Sequence, residues 1–264
     1  MRVKPKKQLG QHFLKDETVC AKIAASITRP LECPNILEIG PGTGALTKYI
    51  LSSDGFTMYY VMEVDSESIH YLENHFSDLS SNQIIKGDFL LYDISTLFNE
   101  APFIVVGNFP YNISSQILFK CLEYKYQTPE IIGMFQKEVA ERISQGPGKK
   151  QYGILSVFMQ AYYDVEYLFT VDEHVFDPPP KVKSGVIRCV RNKRDHLGCD
   201  ELFFKRVVKT AFNQRRKTLR NSLKQITNGM ELPPRFSGER PEQLSVDDFI
   251  ELTLFLKPEQ DDYR

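Results

Sequence analysis

The residues best suited to chemistry fall in a few short stretches, and the richest is Asn108-Phe109-Pro110-Tyr111, which follows the apolar run Phe103 to Val106. Such a turn presents an amide oxygen, a proline-fixed backbone carbonyl and an aromatic face together. Two acceptors aimed at a planar exocyclic amine draw its hydrogens out of the ring plane. The nitrogen lone pair then leaves conjugation and can attack a methyl group in line, while Tyr111 stacks on the base. Read blandly, the same letters are an Asn-X-Pro turn. Upstream, Glu38-Ile39-Gly40-Pro41-Gly42-Thr43-Gly44-Ala45 joins an apolar run to a helical pattern, and its glycines let backbone approach a nucleoside at a helix start. These letters also fit a dinucleotide fingerprint, with Glu63 about twenty residues on. Glu38 points the other way, because a carboxylate ahead of the loop repels a pyrophosphate and favours the sulfonium and amino group of S-adenosylmethionine. Glu63 ends the second apolar run, where an acid accepts hydrogen bonds from ribose hydroxyls, with Asp65 as the competing acid. Asp88 ends the third, where it takes an adenine amino group or serves as a turn acid.

Holding these groups together requires strands that end side by side. NILEI, TMYYVMEV, NQIIKGD, FIVVGNF and EIIGMF alternate with longer helical patterns, the signature of strand–helix units in a parallel sheet. Runs at Tyr163–Phe169 and Ser184–Val190 add an antiparallel pair at the edge. After Arg194 the period becomes helical, with Leu202, Val207, Val208, Phe212 and Leu219, then Leu244, Phe249, Leu252 and Phe255. The expected organisation is an α/β domain over residues 1–194 and a small all-α domain over residues 195–264.

The 264 residues are 42% hydrophobic and 25% charged with a net charge of −1, which excludes disordered and fibrous classes. No run reaches the ~18 apolar residues of a membrane span, and the basic start lacks an apolar stretch behind it, so a cytoplasmic protein without a membrane role is expected. Cys20, Cys33, Cys121, Cys189 and Cys199 are odd in number and scattered, as for reduced thiols, and no metal is expected. The near-zero charge hides segregation. Arg2, Lys4, Lys6, Lys7 and Lys15 precede the first acid. Lys205, Arg206, Lys209, Arg215, Arg216, Lys217, Arg220 and Lys224 share another acid-free run, and acids including Glu239, Glu242, Asp247, Asp248, Glu251, Asp261 and Asp262 follow. A solvated face or a phosphate-binding surface both fit such runs.

EIGPGTGALT, Glu63, GDF and NFPYNIS together resemble the KsgA-type adenine dimethyltransferases of small-subunit ribosomal RNA, over nearly the whole chain. The resemblance implies a Rossmann-like class I methyltransferase sheet followed by a helical RNA-binding domain. It also implies S-adenosylmethionine as cofactor, with Gly40, Glu63, Asp88 and Asn108 at cofactor positions. KKQLGQHFL resembles the family segment over the methionine end of the cofactor, giving His12 and Leu14 contact roles, although His12 stands where Asn is commoner. Phe109 stands where Leu is usual. GPGKKQYG and FDPPPKV resemble two downstream loops, and FNQRRKTLR a C-terminal helix. In these, Phe176 is expected as a second wall of the base pocket or as a core residue. Lys149, Lys150, Lys181, Arg215, Arg216 and Arg220 are expected to contact RNA phosphates or to lie on solvated surface. The implied partner is small-subunit rRNA within a pre-ribosomal particle, engaged by a monomer. A large-subunit rRNA methyltransferase of the resistance type is the alternative, and a nicotinamide-dependent oxidoreductase leaves the NFPY turn without a role.

Overall fold

The computed structural model describes residues 3–28, 33–53, 56–95 and 97–257; Arg2 of the basic start and Asp261 and Asp262 of the acidic tail lie outside the described residues. In chain order the elements are β1 (Phe13–Leu14), α1 (Glu17–Ala25), β2 (Asn35–Ile39), α2 (Thr47–Leu51), β3 (Met58–Glu63), α3 (Ser66–His75), β4 (Ile84–Lys86) and β5 (Ile104–Asn108). There follow α4 (Ser114–Glu123), β6 (Glu130–Gln136), α5 (Lys137–Ser144), α6 (Ile154–Gln160), β7 (Tyr163–Val171), β8 (Phe176–Asp177) and β9 (Ser184–Arg191). The last are α7 (Glu201–Asn213), α8 (Leu219–Ser222), α9 (Pro234–Ser237) and α10 (Val246–Leu256). They pack as two units, one of Met1–Ala140 with Val165–Arg191, the other of Glu141–Asp164 with Asn192–Arg264. The helical unit thus takes two stretches of chain, and a single cut between residues 194 and 195 does not describe it.

The first unit carries a sheet in the order β4-β3-β2-β5-β6-β9-β7. Neighbours from β4 to β6 run parallel, and β9 pairs antiparallel with β6. All five residues of β2 are buried, as are the first four of β5, which is why both read as unbroken apolar runs instead of alternating ones. From β2 the chain winds outward through β3 and β4, then returns to β5 on the other side of β2. The order therefore reverses between β2 and β5, and the crevice beyond their carboxyl ends is where open α/β sheets bind ligands. Gly40 follows β2 there, and Asn108 ends β5.

A second, two-stranded sheet joins β1 to β8, with Leu14 opposite Phe176 and Phe13 opposite Asp177. The Asp177–Pro178 peptide is cis. Lys15 N–H donates to the Val175 carbonyl at 2.8 Å, extending the tie.

In the helical unit, Asp200 caps α7 by accepting from Phe203 N–H at 2.9 Å. Phe204, Val207, Val208, Ala211 and Phe212 form its buried stripe. Leu202, expected on that stripe, is instead 78% exposed, and Phe255 is partly so. Ser245 and Asp248 cap α10 reciprocally. The helix expected across Phe212–Arg220 is broken: α7 stops at Asn213, and Thr218 is extended at φ −67° and ψ 155° before α8. The break lets Leu219 N–H donate to the Glu239 carbonyl at 2.8 Å and buries Leu219 and Leu223 completely.

Candidate active site

A pocket at the switch point is lined by His12, Leu14, Gly40, Glu63, Asp88, Asn108, Pro110 and Tyr111, together with Glu38 and the glycine loop. Gly40, Gly42 and Gly44 have φ of +65°, +57° and +77°, a path that side chains with Cβ resist. This curl sets Gly42 N–H 3.0 Å from Glu63 Oε2, while Glu63 Oε1 accepts from Val64 N–H at 2.9 Å and Asp65 N–H at 3.0 Å. Three of the four lone-pair positions of the carboxylate are thereby filled, leaving one on Oε2 for a hydroxyl. Burial pushes the Glu63 carboxyl above the usual range, against the pull of those three N–H donors. One residue thus ties the β2 loop to the end of β3 before any ligand arrives.

Glu38 lies deeper. Its Oε2 accepts from Thr47 Oγ1 at 2.7 Å and from the Tyr59 hydroxyl. Burial drives its carboxyl up to about 7, opposed by those two hydroxyls. A cation in the pocket would favour its ionised form. Asp65, the alternative to Glu63, is occupied elsewhere: it accepts from Lys6 Nζ, Gln11 Nε2, Ser68 Oγ and Glu67 N–H at the start of α3. Burial raises its carboxyl, but these donors together, led by Lys6, hold it below the usual range. Lys6 also meets Glu67 at 3.1 Å, so it fastens the N-terminal segment instead of standing as an unpaired cation. Asp88 stays partly accessible, with Oδ1 accepting from Leu90 N–H at 2.9 Å.

At the end of β5, Asn108 Nδ2 donates to the His12 carbonyl at 2.9 Å. A carbonyl partner permits one amide orientation, which leaves Oδ1 as the acceptor, unpartnered among the described residues. The Pro110 carbonyl accepts from Ile113 N–H at 3.1 Å and keeps its second lone pair. Tyr111 is fixed at its far end, its hydroxyl 2.5 Å from Ser184 Oγ. Phe109 points away and is 1% exposed. Its ring lies over Gly107 and Gly133, paired across β5 and β6, where a Cβ on Gly133 would come within 2.3 Å of the ring. Two facing glycines thus make the room that the ring needs.

Phe176 is fully buried in the core with Leu14, held by the β1–β8 pairing. Lys181 is exposed and outside the pocket. In the helical unit, Lys149, Lys150, Arg216 and Arg220 are exposed. Arg215 is engaged: its guanidinium lies 3.6 Å from Glu242 and donates to the Lys149 carbonyl at 3.4 Å, beside the bond from Gly148 N–H to the Glu242 carbonyl at 2.7 Å. It braces the Gly146–Gly153 loop while its guanidinium stays partly exposed. Residues that sequence reasoning did not single out are Gln11, Thr47, Tyr59, Pro178 and Ser184. Each acts through a partner more than twenty positions away, except Thr47, whose spacing of nine from Glu38 offered a local signal. Among the described residues no group of His, Cys, Asp and Glu is placed to hold a metal ion, and no helix is long and apolar enough to cross a membrane.

Residues 2–245 match a family described as ribosomal RNA adenine dimethylase. The chain is 58% identical over 256 residues to ribosomal RNA small subunit methyltransferase A of Parabacteroides distasonis, covering 96% of this chain and 94% of that protein. It is 53% identical over 258 residues to the protein of the same name from Cytophaga hutchinsonii, covering 97% and 98%. Among solved structures it is similar to a dimethyladenosine transferase from Plasmodium falciparum, with TM-score 0.76, 23% identity and coverage of 92% of this chain and 97% of that one. It also resembles the 23S rRNA methyltransferase ErmE, with TM-score 0.66, 24% identity and coverage of 91% and 99%. At these identities the two structural likenesses concern the fold.

Proposed function

Because the chain belongs to the ribosomal RNA adenine dimethylase family and is a methyltransferase, we propose that it converts adjacent adenines of a small-subunit rRNA hairpin to N6,N6-dimethyladenine. It does so in the cytoplasm, as a monomer acting on a pre-ribosomal particle, with S-adenosylmethionine as donor. The observation that carries the reading is the Asn108 amide, whose nitrogen is held by the His12 carbonyl so that Oδ1 is left to accept from an amine.

The pocket suits that donor on its own chemistry. Glu63 keeps one lone-pair position for a ribose hydroxyl, Asp88 stands at the end of β4 for the adenine amine, and Glu38 puts a carboxylate beneath a bound cation. When bound, S-adenosylmethionine supplies an electrophilic methyl group. The chain's residues do the rest. Tyr111 stacks on the target base and Ser184 fixes the ring. Asn108 Oδ1 and the Pro110 carbonyl accept the two amine hydrogens, turning the nitrogen lone pair out of the ring plane towards the methyl group. Once methylated, the nitrogen is acidic enough to lose its proton to water, so no side-chain base is needed. A second transfer on the same nitrogen completes dimethylation. In the helical unit, Arg216 and Arg220 together with Lys149 and Lys150 offer exposed cations for phosphates, as Lys181 does in the first unit.

The test is transfer of labelled methyl groups to unmodified small- and large-subunit rRNA. The reading requires dimethyladenine in the small-subunit RNA. Label confined to large-subunit RNA would favour the resistance-type alternative, and an inert protein that binds NAD would overturn the reading altogether.

A further inference from the structure

Asp65 carries more partners than the start of a helix requires. We propose that it is a positioning residue for methyl transfer, holding the N-terminal segment whose His12 carbonyl sets the Asn108 amide. This rests on the function proposed above. A helix cap needs one side-chain acceptor, which Ser or Thr can supply. Asp65 has two, and each is shared between α3 and the N-terminal segment. Its Oδ1 accepts from Glu67 N–H at 3.3 Å and from Lys6 Nζ, and its Oδ2 accepts from Ser68 Oγ at 3.0 Å and from Gln11 Nε2 at 3.3 Å. The side chain is 1% exposed, so the bonds to Lys6 and Gln11 are made where water competes little.

These bonds reach the reacting end by a short path. Lys6 N–H donates to Gln11 Oε1 at 2.8 Å, and the N–H groups of Leu9 and Gly10 turn back to the carbonyls of Lys6 and Lys7, both at 3.0 Å. The loop so closed ends at Gln11, one residue before His12. Gly10, at φ +63°, lies so near Asn112 that a Cβ there would stand 2.5 Å from Oδ1, and a Cβ on Gly42 would stand 2.8 Å from the Phe13 ring. From Asp65, just beyond β3, the segment therefore crosses the loop after β2 and reaches the end of β5, where the His12 carbonyl takes Asn108 Nδ2. On its other side His12 is held by the Pro178 carbonyl, 2.7 Å from Nδ1, and by the pairing of Phe13 with Asp177. Losing Asp65 thus frees one end of the segment, and the carbonyl shifts without leaving Asn108.

The test is the single-turnover rate of methyl transfer to unmodified small-subunit rRNA, at saturating donor and RNA, in Asp65→Ser, Lys6→Met and Lys6→Arg. Ser keeps an acceptor for the helix start but is too short to hold Lys6 and Gln11 as well. Asp65→Ser should slow transfer about tenfold and Lys6→Met about threefold or more, with Lys6→Arg recovering at least half of that loss on a logarithmic scale, because small misplacements of a reacting group are costly. In an Asn108→Ala background, Asp65→Ser and Lys6→Met should each slow transfer by less than about twofold, since the amide through which they act is gone. Equal slowing in both backgrounds would overturn the proposal in favour of a support for the fold, as would a lowered Tm with the wild-type rate. A wild-type rate at saturating donor that falls only at limiting donor would overturn it in favour of donor binding. If Asp65→Ser does not fold, Lys6→Met, at a partly exposed position, decides by the same comparison. A wild-type protein inert on rRNA would overturn the functional reading and this inference together, whereas an active wild type with any of the opposing patterns overturns this inference alone.

Discussion

Replacing Glu63 by Gln exposes the double duty of that residue. The carboxylate accepts Gly42 N–H on one oxygen and Val64 and Asp65 N–H on the other. An amide has one oxygen, so whichever way it turns, its NH2 meets a backbone N–H. The less costly orientation keeps the two donors at the end of β3 and orphans Gly42. A buried unsatisfied N–H costs about 1–3 kcal/mol, and two charge-assisted bonds become neutral, while relief of the buried charge offsets part of this. The net expectation is a loss of about 1–3 kcal/mol, or roughly 3–10 °C in Tm for a chain of this length. The hydroxyl position on Oε2 also faces a displaced loop, and losing one charge-assisted bond worth about 1.5–3 kcal/mol weakens S-adenosylmethionine binding roughly 10- to 100-fold. Calorimetric titration and a thermal melt of Glu63→Gln measure both. A lowered Tm with unchanged donor affinity would mean that Glu63 only braces the loop, and unchanged values of both would refute the hydrogen-bond reasoning outright.

Glu38, with its folded value near 7 against 4.5 for the ordinary carboxyl, makes the protein lose stability as pH rises from about 4.5 to 7, by about 3 kcal/mol in all; Glu38→Gln should flatten Tm over pH 5 to 8, and an unaltered profile would remove Glu38 as the cause. Gly133→Ala drives a Cβ into the Phe109 ring and should cost about 1–3 kcal/mol, recovered in part when Phe109→Leu is added; strictly additive effects in denaturant melts would contradict that packing. Changing Arg216, Lys217 and Arg220 to Gln should reduce the salt dependence of RNA binding by roughly 0.7–0.9 for each phosphate no longer neutralised, with donor affinity intact. An unchanged slope would return these cations to a solvated surface.

Five strands and the pocket loops were legible because each is a local pattern, an apolar run followed by a loop or a helix start. What escaped depends on distant partners. Phe176 ahead of three prolines reads equally as a pocket wall or a core residue, and its burial rests on the pairing with Leu14, 162 positions away. Lys6 and Arg215 read as unpaired cations because their acids, Asp65 and Glu242, are remote in sequence. The apolar spacing through Leu219 suggested one helix, yet the bond from Leu219 to Glu239 needs an extended Thr218. Glu141–Asp164 carries no mark that it packs with the helical unit, since Phe158 meets Phe204 only after folding.

The central claim is that the turn at the end of β5 polarises the attacking amine, and its most direct test is the single-turnover rate of methyl transfer by Asn108→Ala on unmodified small-subunit rRNA. Removing a preorganised hydrogen-bond partner of a transition state costs about 10²–10³-fold in rate. The variant should fall by at least that much while its RNA affinity stays within a few-fold of wild type, because RNA is held by many phosphate contacts. A rate within about tenfold of wild type would contradict the claim and move the chemistry away from Asn108.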